Sequence, residues 1–229
     1  MAELSYATIV VSGDDAREFL QGQLTQDVAR LDENATNPPL LSAWCNPKGR
    51  VIALLRLSKT GSGYALALPA ELADAVVKRL TMFRFRSKVD FETRLATPAE
   101  LGFDGASEDF LLTSLRDGIA DIRGPQSEEF TPHMLNLDLL DAVSLDKGCY
   151  TGQEIVARTH YRGATKRRML RFTSSAPVSA GDKVEDGDRS VGEVVNAIGN
   201  ELLAVVPVDS TDGLKVGDAA LEASSLPYL

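Results

Sequence analysis

The sequence is poor in cysteine: Cys45 and Cys149 are the only two among 229 residues. Two are too few for a disulfide framework, and no paired Cys/His spacing marks a zinc site. A reducing compartment, the cytoplasm, is therefore expected. No run of apolar residues approaches the roughly 20 needed to span a bilayer, so no membrane partner is expected. The start, Met1-Ala2-Glu3-Leu4-Ser5, lacks a basic n-region and a long apolar h-region, so no signal peptide is expected either. Cations are also in deficit, 24 Lys and Arg against 33 Asp and Glu, for a net charge of −9. That argues against nucleic-acid binding by the surface as a whole, though a local basic patch is compatible with it.

What is present is an ordinary soluble composition, 44% hydrophobic, in a chain long enough for one large domain and one small one. Ala7–Val11 is β-branched and reads as a strand, and Ala16–Gln21 as a short helix stopped at Gly22. Two apolar runs, Leu40–Cys45 and Arg50–Leu57, flank Asn46-Pro47-Lys48-Gly49, which has type I turn chemistry and predicts a β-hairpin. Cys45 is expected to be a buried strand residue. Tyr64–Leu68 reads as a strand. Pro69 is placed to open a helix over Ala70–Phe83, with Leu72, Val76, Leu80 and Phe83 as its core stripe. Lys78, Arg79, Arg84, Arg86 and Lys88 suit that helix's C-terminal dipole, or alternatively an anion site. Asp90 to Asp109 is polar and reads as a connection. His133 has no carboxylate or Cys at fixed local spacing, and a structural role is expected for it. From Met169 on, short strand candidates alternate with turns such as Ala180-Gly181-Asp182 and Asp186-Gly187-Asp188, which predicts a small antiparallel β-barrel.

The stretch with the most chemistry is Asp146-Lys147-Gly148-Cys149-Tyr150-Thr151-Gly152-Gln153-Glu154. It carries no strand or helix periodicity. Gly148 and Gly152 let the backbone bend and approach other groups closely. In an extended segment, Lys147 and Cys149 leave the same face, and an ammonium beside a thiol favours the thiolate. Glu154 offers a carboxylate able to take two parallel N–H bonds from a flat heterocycle, with the Gln153 amide beside it. Lys147, Arg158, Arg162, Lys166, Arg167, Arg168 and Arg171 make this region locally positive. Aromatic residues interleave at His160-Tyr161-Arg162, so an RNA partner stays open.

Lys147-Gly148-Cys149-Tyr150-Thr151-Gly152-Gln153-Glu154, running on to Tyr161-Arg162-Gly163, resembles the signature of the YgfZ-type folate-binding proteins, relatives of the glycine-cleavage aminomethyltransferase. Gly22–Asp27, which in those relatives shapes the floor of the folate pocket, and Cys45–Arg50 resemble the family too. The resemblance implies an α+β fold: a folate-binding domain over residues 1–165, then a barrel domain over 166–229. The interval around Asp90–Asp109 is short, which implies a shortened member lacking most of a second subdomain. Tetrahydrofolate is the implied cofactor, with Tyr6, Phe110, Gln153, Glu154 and Arg162 as its implied contacts. Cys149 is the implied nucleophile or transient sulfur or metal ligand, and Lys147 its activator. The implied role is support of iron–sulfur enzyme assembly or repair, tRNA-modifying enzymes included, with those proteins or assembly factors as partners. Ala53-Leu54 stands where the aminomethyltransferases carry an acidic pair, which argues against glycine-cleavage chemistry. A folate-dependent one-carbon transferase or demethylase and a tRNA-binding module remain the alternatives.

Overall fold

A computed structural model of the chain describes residues 5–33, 39–61, 63–103, 107–163, 165–209 and 212–229. It has an α+β region built on a five-stranded antiparallel sheet, followed by a closed barrel. The sheet's strands are β1 (Tyr6–Ser12), β2 (Leu40–Cys45), β3 (Val51–Thr60), β4 (Gly63–Pro69) and β5 (Asp90–Leu95), in the order β2-β3-β4-β1-β5. The helices are α1 (Ala16–Gln21), α2 (Arg30–Glu33), α3 (Ala70–Phe83), α4 (Ser107–Arg116) and α5 (Gln153–Arg162).

Side chains alternate across a strand, so the sheet has two distinct faces. One presents Ile9, Val11, Leu55, Leu57 and Leu66 to Phe19 and Leu20 of α1 and to Leu72, Val76 and Leu80 of α3. Phe83, expected to complete the α3 stripe, lies at the helix end and is exposed. The second face presents Ala43, Cys45 and Leu54 to Leu115, Ile122, Phe130 and Leu137. Met169, Val195, Leu203 and Val205 of the barrel join that same cluster, so the barrel and the sheet share one core.

The barrel strands are β6 (Arg167–Ser174), β7 (Lys183–Asp186), β8 (Arg189–Ile198), β9 (Glu201–Pro207), β10 (Leu214–Val216) and β11 (Ala219–Ser224), closed in the order β10-β11-β6-β9-β8-β7. Closure removes the free edges that short strands would otherwise expose.

β5 and α5 are among the elements that the sequence reading does not contain. The polar stretch after Asp90 begins with β5, paired to β1 at the sheet edge. Its residues, Asp-Phe-Glu-Thr-Arg-Leu, are nearly all exposed, so no apolar alternation announces it. The motif is followed by α5, which buries Val156 alone among its residues.

Candidate functional site

The chain bends over residues 145–147 and turns at 151–152, and no strand forms between them. Lys147 and Cys149 consequently part company. Lys147 is buried, and its ammonium donates to the carbonyls of Leu24 (2.8 Å) and Gln26 (2.7 Å). The same ammonium lies 5.3 Å from the centre of the Tyr150 ring, which is also buried. Cys149, between these two anchors, is exposed. The motif thus fastens its two ends inward and holds Gly148 and Cys149 out. Lys147 was expected to activate the thiol; two of its three N–H donors go instead to chain carbonyls and fasten the loop from within, while the thiol faces out. Burial pushes its pKa down from 10.5 to about 8, with Asp27 pulling the other way.

The receiving loop is itself tied down. Thr25 Oγ1 donates to Ala142 O and accepts from Ala43 N–H. Gln26 Nε2 donates to the carbonyls of Leu41 and Asp141. Burial works to raise the Asp27 carboxyl, but hydrogen bonds from Gln21 and the Ala29 N–H, together with the Lys147 charge, hold it below its ordinary value. One short loop therefore joins β2, the 141–144 segment and the motif.

The C-terminal end of the motif is fixed by glycine. Gly152 caps α5 at φ +84°, and a Cβ there would stand 2.6 Å from the Asn46 carbonyl oxygen. Gly49, in the hairpin turn at φ +69°, meets Ile155 of α5 just as closely. The turn is of the expected kind: Gly49 N–H donates to Asn46 O, and Asn46 Oδ1 accepts from the N–H groups of Lys48 and Arg50.

Cys149 lines an open cleft of about 570 Å³ with Asp14, Arg17, Glu18, Gln21, Gly22 and Ala29. The other cysteine is its opposite. Cys45 is sealed in the second core, and burial pushes its pKa up to about 12. We predict that a thiol reagent modifies Cys149 in the native protein within the time that Cys45 shows none. Equal labelling of both cysteines without denaturant would refute this.

Tyr6 and Phe110 do come together, on the second face of the sheet, away from α1 and Cys149. Their rings meet edge to face with centroids 5.2 Å apart. One face of Phe110 is covered by the Arg56 guanidinium at 4.8 Å, and one face of Tyr6 by that of Arg123 at 5.1 Å. The Tyr6 hydroxyl donates to Asp121 Oδ1 (2.9 Å), and burial followed by the Asp121 charge raises its pKa. The cavity they line with Leu54, Ser114 and Ile122 is only about 20 Å³. That is room for about one water, not for a pterin ring. One face of each ring expected to stack on folate is here taken by a guanidinium group.

Gln153, Glu154 and Arg162 form a third location, on α5. Glu154 and Arg162 are exposed, and α5 contributes none of the described residues lining the Cys149 cleft. The local positive charge also divides. Arg168 binds Asp138 with both guanidinium arms, Arg171 pairs with Glu201, and Arg167 donates to Val191 O. Arg158, Arg162 and Lys166 remain exposed, next to a Tyr161 that is 68% exposed. Three of the five cations at the end of α3 and beyond are likewise engaged, Arg79 with Glu128, Arg84 with Asp90 and Lys88 with Asp14.

Comparison with known proteins bears on this arrangement. Residues 166–228 match the C-terminal β-barrel domain of CAF17. An uncharacterised protein of Haemophilus influenzae is 32% identical over 97% of this chain and 95% of its own length. The tRNA-modifying protein YgfZ of an Enterobacter species is 29% identical over 97% of this chain and 91% of its own. The chain belongs to the YgfZ family. A second YgfZ, from Vibrio atlanticus, is 29% identical over 82% of the chain and 74% of its own length. The fold is that of the glycine-cleavage aminomethyltransferase T of Bartonella henselae, with a TM-score of 0.72 at 17% identity, covering 98% of this chain and 84% of that one. The Enterobacter alignment extends over 299 positions for a chain of 229 residues, so that YgfZ carries segments this one lacks. No described helix is long and apolar enough to cross a membrane.

Proposed function

We propose that this YgfZ family member is a cytoplasmic tetrahydrofolate-binding protein that serves tRNA modification, with Cys149 as the group that meets an iron–sulfur client. The observation that carries the reading is the thiol held exposed between two buried anchors at the rim of a cleft. A volume of about 570 Å³ lies within the range of small-molecule sites, roughly 300–1,000 Å³. Glu18 supplies a carboxylate for the amine and ring N–H of a pterin, Asp14 a second one that also holds Lys88, and Arg17 a cation for its carboxylate tail. Tetrahydrofolate would bring one-carbon carrying capacity to that cleft. Cys149 then offers a soft ligand or nucleophile beside it. Glycine-cleavage turnover is disfavoured, because the position aligned with the catalytic acid is Ala53, fully buried against apolar neighbours.

Calorimetric titration with tetrahydrofolate tests the reading. Glu18→Gln is expected to weaken binding about tenfold, the cost of one charge-assisted hydrogen bond. Phe110→Leu is expected to leave it unchanged. The reverse pattern would move the site to the Tyr6–Phe110 cavity, and no binding by wild type would reject folate altogether.

The tRNA part of the reading rests on Arg158 and Arg162, one helical turn apart on α5 and both exposed. Replacing both with Gln should reduce the slope of log affinity for tRNA against log salt by roughly 1.5–2. An unchanged slope would remove α5 from the contact. Arg167 and Arg168 suit this test poorly, since both are engaged within the protein.

A further inference from the structure

We propose that His133, Asp138 and His160 form a binding site for a divalent transition-metal ion, with two imidazole nitrogens and one carboxylate oxygen as ligands. The ligand atoms of the three lie within 4.8 Å of one another. His133 points into this cluster from the protein side. It is 2% exposed, yet neither ring nitrogen has a hydrogen-bond partner among the described residues. An imidazole buried with both nitrogens idle is costly, since each lost its water without replacement. A metal ion at the cluster would give one of them its missing partner.

The surrounding structure is preorganised. His133 and Asp138 sit on one loop, knotted by Asn136 N–H to His133 O, Leu137 N–H to Pro132 O and Asn136 Nδ2 to Met169 O. Arg168 fixes the same loop from β6, donating to His133 O, to Asn136 Oδ1 and to both oxygens of Asp138. Each carboxylate oxygen has a second lone-pair direction, so Asp138 keeps acceptor capacity beyond Arg168. Arg168 then acts as the partner that orients a ligating carboxylate, as outer groups do at metal sites. Its positive charge limits affinity. The third ligand, His160, comes from the last turn of α5, exposed, with its ring 6.1 Å from that of His133. Two nitrogens and one oxygen suit zinc, iron(II) or cobalt(II), and three protein ligands leave a coordination position open.

The site is separate from the Cys149 cleft in its residues and does not depend on the folate reading. It is tested by calorimetric titration of the full chain with Zn²⁺, and by X-ray absorption of the Co²⁺ form. Wild type and Cys149→Ser are expected to bind one equivalent alike, with only nitrogen and oxygen scatterers around cobalt. His160→Ala, an exposed substitution that leaves the fold intact, should weaken binding at least tenfold, and Asp138→Asn should weaken it too. Overturning results are absence of Zn²⁺ binding, unchanged affinity in His160→Ala, or a sulfur scatterer with binding lost in Cys149→Ser.

Discussion

Lys147→Met is expected to lower stability by about 3 kcal/mol at neutral pH and to release the motif loop. The Lys147 ammonium satisfies the carbonyls of Leu24 and Gln26, both in the interior. Removing the donor leaves them without it, and each buried orphan costs about 1–3 kcal/mol. Methionine keeps the volume, so little cavity cost is added. In a chain of this length 3 kcal/mol corresponds to roughly 6–12 °C in melting temperature. Cys149→Ser, two residues away but exposed, should stay within about 0.5 kcal/mol of wild type. Thermal melts of the two variants check the contrast, and equal melting temperatures would show that Lys147 does not anchor the loop.

The same lysine predicts a pH dependence of definite sign. Its folded pKa, about 8, lies below the ordinary 10.5, because burial disfavours the charged form. Below pH 8 the amine is protonated in both states. Between about 8 and 10.5 the unfolded chain holds a proton that the folded chain has released. Stability rises with pH wherever the unfolded state binds more protons. The contribution of Lys147 therefore increases through that window, the opposite of a lysine that gains an ion pair. The stability of wild type relative to Lys147→Met should widen from pH 8 to 10.5; a narrowing gap would contradict the burial argument.

The second large effect concerns two glycines of one motif that the sequence presents as equals. Gly152→Ala should cost about 3 kcal/mol and detach α5 from the hairpin turn. Its φ of +84° alone costs an L-residue about 1–2 kcal/mol. The added methyl would press to 2.6 Å on the Asn46 carbonyl, a backbone atom held inside the hairpin turn. Gly148→Ala should be silent, because nothing lies within 4 Å of its would-be Cβ and its φ is not positive. Denaturant unfolding gives the stabilities, and limited proteolysis reports whether residues 150–163 open. Similar behaviour of the two variants would mean that α5 does not dock as described.

Why some of this was legible beforehand follows from where each signal resides. The Asn46–Gly49 turn, α3 after Pro69 and most barrel strands rest on neighbouring residues, and local chemistry announces them. β10, only three residues long, is too short to show an alternation of its own. β5 was hidden because an edge strand facing solvent has no apolar pattern to read. The inward anchoring of Lys147 is not legible in the motif, because its partners lie 121 and 123 residues away and spacing within the motif carries no record of them. Tyr6 and Phe110 were paired through resemblance, but Arg56 and Arg123 over their rings come from elsewhere in the chain. His133 and His160 share that difficulty: the fold, not a local spacing, brings them together.

The cleft beside Cys149 is the decisive feature of the molecule. The direct measurement is the rate at which a thiol reagent modifies Cys149 as tetrahydrofolate is added. Saturable protection, at least tenfold, with its midpoint moved to about tenfold higher folate concentration in Glu18→Gln, is the predicted result. A labelling rate that stays constant while calorimetry shows the folate bound would contradict it.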